Sequence, residues 1–599
     1  MGEHVVRKSK DGLTLVVYRG EDMVLLAFDI ASQLQKPDFL GFGIQYRIGD
    51  RPDLHDVYNF LTFKQLREEL KAQEKTAKSD KQKEDLAKKR IETMRTIRSP
   101  IQSFRWAHVP SRPIDGEVTY RVSAMFGDGK NAPEARSFVE ATIDIGSRTR
   151  GDFLNVGFTR GFASSQAYVR RFANETDILP GKGMAEIDFD TSRFDGFDAK
   201  GNPRPYPWLG FEARKMMFEF YDECIADPDV LVDVFAYDLS DPEVVRRLEA
   251  LQTRLRIVID DSDKHGPKTS DETQAENRLK HSAGESNVMR HHFSGLQHNK
   301  VIIAKRRSAG GAPFAVLAGS TNFSLGGLYI QNNNALLFRN ADVAKLYAEA
   351  FAEAFPSNKG FSGKKIASDW FEMDVPDAGT YAFCFSPHKK SSVSLKRLAD
   401  SIKGAKKSVF YAIAFYGSMK GLVGGALREL KPDKLLVMGV ANMPGKPKAN
   451  TVLVQQPGRG PVPLGPAALE KDLPEPFLSE WKGGGGIHMH HKFVVCDFNG
   501  DNPVVYTGSS NLADAENANG DNLIEIKDPK VVVAYAVQAV SIFDHYGFRN
   551  RMKKAKKSPK AMDLAAAPAP GEKPWWTDSF APAHEKSRDR ELFAGQQTG

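Results

Sequence analysis

Residues 298–322 read HNKVIIAKRRSAGGAPFAVLAGSTN, and residues 490–511 read HHKFVVCDFNGDNPVVYTGSSN. Each stretch sets out a histidine, a lysine two places on, an apolar strand-like run and a Gly-Ser-x-Asn turn. In extended backbone, residues i and i+2 share a face, so His298 projects with Lys300 and His490 with Lys492. The small pairs Gly319-Ser320 and Gly508-Ser509 let a neighbouring strand end come close, and Asn322 and Asn511 offer amide N–H donors there.

The segments around these stretches repeat as well. Before the first, the pattern predicts a helix over 211–225, a strand over 230–237, a helix over 242–251 and a strand over 255–260. Before the second, the same order falls on 395–405, 408–416, 419–430 and 434–440. A helix follows each block, near 341–355 and 529–545. An internal duplication of strand–helix alternation predicts an α/β fold whose two halves face each other across one site. The first 150 residues differ. Short β-type runs at 13–18, 23–28, 42–48, 101–106, 118–126 and 137–145, separated by turn residues, predict a small β-sandwich. Its strand pattern is fibronectin type III-like. A charge-alternating run at 64–98 interrupts it and reads as a solvated helical insert. The expected organisation is therefore 1–150, 151–380 for the first repeat, 381–550 for the second, and a basic, Ala/Pro-rich tail over 551–599.

Composition bounds the partners. The chain has 599 residues, 41% hydrophobic and 27% charged, as in soluble globular proteins, and its formal net charge is +7. Ten residues, 551–560, hold +6 and the insert +5, which leaves −4 elsewhere. The body is not basic, so the excess argues for peripheral attachment to an anionic surface. No apolar run is long enough to span a bilayer. Met1–Gly12 lacks a secretory leader, so a cytoplasmic location is expected, with leaderless secretion or effector delivery compatible with it. Cys224, Cys384 and Cys496 are far apart and form neither a disulfide framework nor a CxxC metal site.

Two imidazoles, two ammonium groups and two carboxamides around one anion suit phosphoryl transfer without a metal or other cofactor. One neutral imidazole attacks phosphorus, the other protonates the leaving oxygen, and Lys and Asn donors stabilise the charge that develops. The two blocks resemble the HxKx4Dx6GSxxN signature of the phospholipase D superfamily. The second copy has His490, Lys492, Asp497, Gly508, Ser509 and Asn511, with a longer gap after Asp497 and its Asn one place early. The first has His298, Lys300, Gly319, Ser320 and Asn322, but Lys305 stands where the signature has Asp. The resemblance covers about 400 residues, 158–546, and 161–172 with 589–593 resemble a bacterial subgroup carrying an N-terminal β-domain.

The resemblance implies a metal-independent phosphodiesterase working through a phosphohistidine, with His298 as nucleophile and His490 as general acid. Ser320, Ser509 and Asp497 take supporting roles. Acidic residues that orient the histidines lie downstream of the Gly-Ser turn in the family. Asp521 is the candidate in the second copy, whereas the first has Asn332, Asn333 and Asn334. Activity is expected to survive Lys305, and Lys305→Asp to leave it unchanged or raise it. Phospholipid at a membrane surface is the expected substrate, hydrolysed or transferred to an alcohol, with the apolar stretch 419–427 as an entrance for acyl chains. DNA or RNA is the alternative substrate, and a degenerate binding protein the non-enzyme reading. His488, His490 and His491 do not make a zinc site, because the in-register histidine is His490 and no Asp or Cys is suitably spaced. His291 and His292 are read as solvated or substrate-contacting, and 483–486 as a flexible loop or flap.

Overall fold

The computed structural model describes residues 4–595 apart from 60, 111–113, 147–148, 150, 162–167, 169–170, 173–174, 176, 182–183, 391, 417–418, 420, 432, 443–451, 456–461, 465–488, 515–516 and 556–562. His488, the glycine run 483–486 and most of 161–172 thus lie outside the described residues. The chain divides into two compact units, one of Met1–Ser147, Pro432–Leu436 and Ala536–Gly599, the other of Arg148–Lys431 and Val437–Tyr535.

In the first unit, two four-stranded antiparallel sheets share one core. One sheet runs Val5–Lys10, Leu13–Arg19, Val24–Ile30, Arg105–His108; the other His55–Asp56, Phe39–Ile48, Glu117–Phe126, Glu134–Asp144. Leu15, Val17, Leu26, Phe28, Phe42, Ile44, Tyr120 and Val122 alternate into that core. The sequence pattern misses the strand Val5–Lys10, whose last four residues are exposed and charged or polar, so no apolar alternation marks it. It also places a strand over 101–106, where Arg105–His108 forms instead and Ile101 makes a single bridge to Phe42. The insert is a pair of helices, Lys64–Thr76 and Asp80–Thr93, with no buried residue in either. Ser79 and Gln82 form a reciprocal capping box at the second, which starts that helix where little packing supports it.

Residues 563–595 are no free tail. Asp563–Leu564 pairs in parallel with Thr62–Phe63. Trp575 donates its indole N–H to the Phe39 carbonyl at 3.0 Å and lies against Phe39 and Phe104. The helix Glu585–Ala594 brings Asp589 to Arg105, which also pairs with Asp544, and Tyr18 donates to the Phe593 carbonyl. The first five residues of the basic run, 551–555, close the helix Pro529–Ala555.

The second unit holds the duplication. A seven-stranded sheet runs Leu154–Phe158, Asn334–Phe338, Ala312–Gly319, Val301–Arg306, Val230–Ala236, Leu255–Ile259, Val288–Arg290. A nine-stranded sheet contains the same central order: Asp521–Ile526, Val504–Gly508, Lys492–Cys496, Ser408–Phe415, Leu436–Asn442. Both are α/β layers, with Pro205–Ala226, Pro242–Ala250 and Ala341–Ala354 around the first, and Ser392–Gly404 and Leu422–Arg428 in the second. The first four residues of the strand Val301–Arg306 read as an unbroken apolar run because both faces are buried there. Two isolated parallel bridges, Gln297 with Gly520 and Asn332 with Met489, stitch one repeat to the other beside each histidine.

Of the stretch expected as an acyl-chain entrance, 419–427, Met419, Val423, Ala426 and Leu427 are packed in the core, and among its described residues only Leu422 is exposed.

Candidate active site

His298 and Lys300 lie in extended backbone just before the strand Val301–Arg306, and Lys492 opens the strand Lys492–Cys496, so both His-x-Lys pairs stand at strand entrances rather than inside strands. The alternation still holds: Lys300 donates to the His298 carbonyl, and Lys492 Nζ lies 3.0 Å from the His490 carbonyl and 3.1 Å from its Nε2. All four side chains are buried, the two lysines at 1% and 0% exposure.

Each histidine is oriented by the opposite repeat. His298 Nδ1 is 2.7 Å from Asp521 Oδ1, and His490 Nδ1 is 2.8 Å from Asn333 Oδ1. The motif serines hold those partners: Ser509 Oγ donates to Asp521 Oδ1 at 2.7 Å and Ser320 Oγ to Asn333 Oδ1 at 2.9 Å. The same hydroxyls accept the backbone N–H of Asn522 and Asn334, both at 3.0 Å. This makes the serines braces, not nucleophiles. The glycines before them are required by contact. A Cβ on Gly319 would sit 2.5 Å from the Asn334 carbonyl oxygen, and one on Gly508 2.4 Å from that of Asn522, at φ +140 and +138.

The tautomers follow from these partners. Asn333 Nδ2 donates to the Gly327 carbonyl at 2.8 Å, which turns its Oδ1 toward His490 and makes Nδ1 of that ring the protonated nitrogen. Asp521 accepts only, so His298 also carries its proton on Nδ1 and leaves the Nε2 lone pair for a substrate. Burial and then the Lys300 ammonium hold the His298 pKa down at about 4, against the pull of Asp521. Burial, Lys492, Lys300 and His298 together push His490 well below the ordinary histidine range. Burial and Lys492 likewise lower Lys300. Asp521 stays ionised because His298 and Lys300 outweigh its burial. Groups from both repeats thus feel one another, the electrostatic signature of a shared anion site.

Asn322 and Asn511 are buried at 2% and 4% exposure. Asn322 donates to Asp238 Oδ2 at 2.6 Å, while its Oδ1 has no hydrogen-bond partner. Asp497 sits at the far end of its strand from His490. Its carboxylate accepts the backbone N–H groups of Lys406, Lys407 and Ser408 and so starts the strand Ser408–Phe415. Lys305, in the corresponding place of the first repeat, instead makes a 2.5 Å ion pair with buried Asp233, which Arg256 also grips through both oxygens at 2.8 Å. The signature's charge is inverted locally and compensated from the neighbouring strand.

Of the histidines set aside from the sequence, His491 is buried between Phe158 and Phe493, and burial lowers its pKa to about 3. His291 and His292 line a separate cavity of about 480 Å³, where His292 pairs with Asp261 at 2.6 Å. Sequence reasoning missed Asp238, Asp260 and His265, which surround Asn322 and the backbone before His298. The available signal was position: Asp260 directly follows one parallel strand and Asp238 lies two residues past the other, at the C-terminal ends where α/β sheets gather ligands.

Residues 223–355, which carry the first His-x-Lys, the Gly-Ser-x-Asn turn and Asn333, match the family model described as cardiolipin synthase, PLD-like domain. This segment is a phospholipase D-like domain. Both repeats are mixed α/β layers, and the second reproduces the central strand order of the first. Among curated proteins, none matches the chain in sequence. Similar solved structures include phosphatidylserine synthase from Haemophilus influenzae, at 12% identity, over 54% of this chain and 82% of that one, with TM-score 0.36. Nuc from Salmonella typhimurium, a phospholipase D family member, has 21% identity over 27% of this chain and 92% of its own, with TM-score 0.20. Polyphosphate kinase from Porphyromonas gingivalis has 12% identity over 53% of this chain, with TM-score 0.34, and the match spans 46% of the kinase. Beyond the phospholipase D-like domain, no helix among the described residues is long and apolar enough to cross a membrane.

Proposed function

We propose that the protein is a phosphodiesterase of phospholipase D type that acts on phospholipids at a membrane surface, with His298 as nucleophile and His490 as general acid. The observation that carries this reading is the unequal support of the two rings. A carboxylate on His298 Nδ1 stabilises the positive charge that builds when Nε2 attacks phosphorus, whereas a neutral amide on His490 leaves that ring the readier proton donor.

In the first half-reaction, the His298 Nε2 lone pair forms a P–N bond while the bond from phosphorus to the leaving oxygen breaks. That oxygen takes the proton from His490. In the second, His490 takes a proton from water, whose oxygen forms a P–O bond as the P–N bond breaks. An alcohol in place of water gives transfer instead of hydrolysis. Lys300, Lys492, Asn322 and Asn511 supply donors for the equatorial oxygens. His490 must be protonated for the first step although its surroundings depress its pKa. The phosphodiester anion offsets the two lysine charges and so restores its proton affinity on binding.

The slightly acidic body supports lipid over nucleic acid, since a nuclease calls for a basic groove around the site. The test offers the purified full chain labelled phosphatidylcholine, phosphatidylethanolamine, and single- and double-stranded DNA, each in EDTA. Release of phosphatidic acid, with a phosphate trapped on His298 and lost in His298→Ala, supports the reading. DNA cleavage without lipid turnover moves the assignment to a nuclease. Loss of all activity in EDTA overturns the metal-free mechanism, and phosphate found on His490 reverses the two roles.

A further inference from the structure

Tyr237 and Asp238 follow the strand Val230–Ala236, Asp260 follows the parallel strand Leu255–Ile259, and His265 ends the short turn Asp263–His265 beside them. His265 is 2% exposed, and both ring nitrogens are engaged by carboxylates: Nδ1 with Asp260 Oδ2 and Nε2 with Asp238 Oδ1, each at 2.8 Å. Each carboxylate turns its other oxygen toward the candidate site. Asp238 Oδ2 accepts the Asn322 amide at 2.6 Å, and Asp260 Oδ1 accepts the backbone N–H of Gln297, the residue before His298, at 2.6 Å. Tyr237 completes the junction. Its ring is edge-on to His265 at 4.7 Å and to His298 at 4.8 Å, with Lys300 Nζ 4.6 Å from its centroid.

We propose that His265 is a positioning residue for the first-repeat half of the site, clamped between Asp238 and Asp260 so that, through Asp238, it sets the Asn322 amide for the substrate phosphate. The proposal rests on the phosphoryl-transfer reading above. Asn322 has two amide N–H groups; with one fixed on Asp238, the carboxamide plane is held and the second is left to donate. Burial disfavours a charged His265, but the hydrogen bonds it donates to Asp238 and Asp260 outweigh it and push its pKa up to about 9. The other charged or titratable groups around it are Glu272 at 3.5 Å from Nε2, Lys264 on Asp238 at 2.9 Å, Arg290 on the His265 carbonyl at 2.7 Å, and the neutral Tyr237 phenol. His265 gives one donor to each carboxylate, beside Lys264 on Asp238 and Ser262 on Asp260, and removing it loosens the hold on both.

In sequence, Tyr237-Asp238 follows the first repeat's strand, and Tyr416-Gly417 stands at the corresponding place in the second. The ligand atoms of Asp238, His265 and Glu272 also lie within 4.8 Å of one another, close enough for a metal ion. Lys264 and the doubly engaged imidazole already put positive charge on those carboxylates.

Non-additivity is the diagnostic readout, since a residue acting through Asn322 loses its effect once Asn322 is gone. Full-length wild type, His265→Gln, Asn322→Ala and the double variant are compared for kcat and KM on bis(p-nitrophenyl) phosphate, and for inorganic phosphate affinity by calorimetry. His265→Gln is expected to lower kcat roughly 10- to 100-fold with KM nearly unchanged, but less than about threefold on the Asn322→Ala background. Asp238→Asn, which preserves shape, gives the same pattern and decides the matter if His265→Gln does not fold. Equal factors on both backgrounds overturn the proposal. So does Zn²⁺ binding that His265→Gln abolishes while phosphate affinity stays at the wild-type value. A wild type that binds phosphate but turns over no diester sinks the proposed function alone, and the phosphate affinities of the four proteins then decide the role of His265. A wild type that does neither removes both.

Discussion

His298 and Asp521 stand 223 positions apart, in different repeats, with Nδ1 and Oδ1 2.7 Å from each other. The corresponding pair, His490 with Asn333, has the same geometry but an amide in place of the carboxylate. A duplicated fold has thus become chemically unequal at this atom pair, and in the proposed function the inequality is what separates nucleophile from acid.

Exchanging the two partners tests that division. Asp521→Asn is expected to lower kcat by roughly 10²–10⁴-fold with little change in fold, because the amide still accepts from Ser509 but no longer stabilises a charged ring. Asn333→Asp adds a carboxylate beside His490, raises its pKa, and shifts the acid limb of the kcat profile upward. Steady-state rates between pH 4 and 9 read both effects, and an Asp521→Asn enzyme as fast as wild type sinks the assignment.

Stability should fall in acid through the buried histidines. His298 and His108 have folded pKa values of about 4, each lowered chiefly by burial, and burial lowers His491 to about 3. Between the unfolded value near 6.5 and these folded values, the unfolded chain binds more protons, so stability rises with pH across that window. Each such ring costs on the order of 3 kcal/mol by pH 4. His265 has the opposite sign: its contribution is complete below about pH 6.5 and is lost as pH rises through about 9. Thermal melting by circular dichroism from pH 4 to 10 should give a maximum between these limits, and a flat profile contradicts these protonation states.

Anion binding should take up protons. Phosphate entering beside Lys300 and Lys492 raises the proton affinity of His490, so calorimetry near pH 6 in buffers of differing ionisation enthalpy should show net uptake, lost in His490→Ala. Equal apparent enthalpies in all buffers argue against His490 as the acid.

Restoring the signature residue in the first repeat should damage the protein. Lys305→Asp places a second carboxylate beside buried Asp233, leaving Arg256 to serve both, at a cost of about 3–5 kcal/mol. Lys305→Met should cost less, since Arg256 still neutralises Asp233. Urea denaturation of the two variants ranks them, while steady-state rates test separately the sequence expectation that Lys305→Asp leaves turnover unchanged or raises it.

The sequence by itself determined the duplication, the two His-x-Lys pairs and the Gly-Ser turns, because each is a short-range pattern: period-two alternation, an apolar run, a place where no Cβ fits. It also marked the run Asn332, Asn333 and Asn334 as the place in the first repeat that lacks an acid. Only the tertiary structure decided which residue meets which. Asp521 reaches His298 and Asn333 reaches His490 across the repeats, Lys305 draws its counter-charge from a neighbouring strand, and His265 joins two strand ends to Asn322. None of these contacts leaves a local trace, since a buried charge is satisfied by whatever partner packing brings to it, at any distance along the chain.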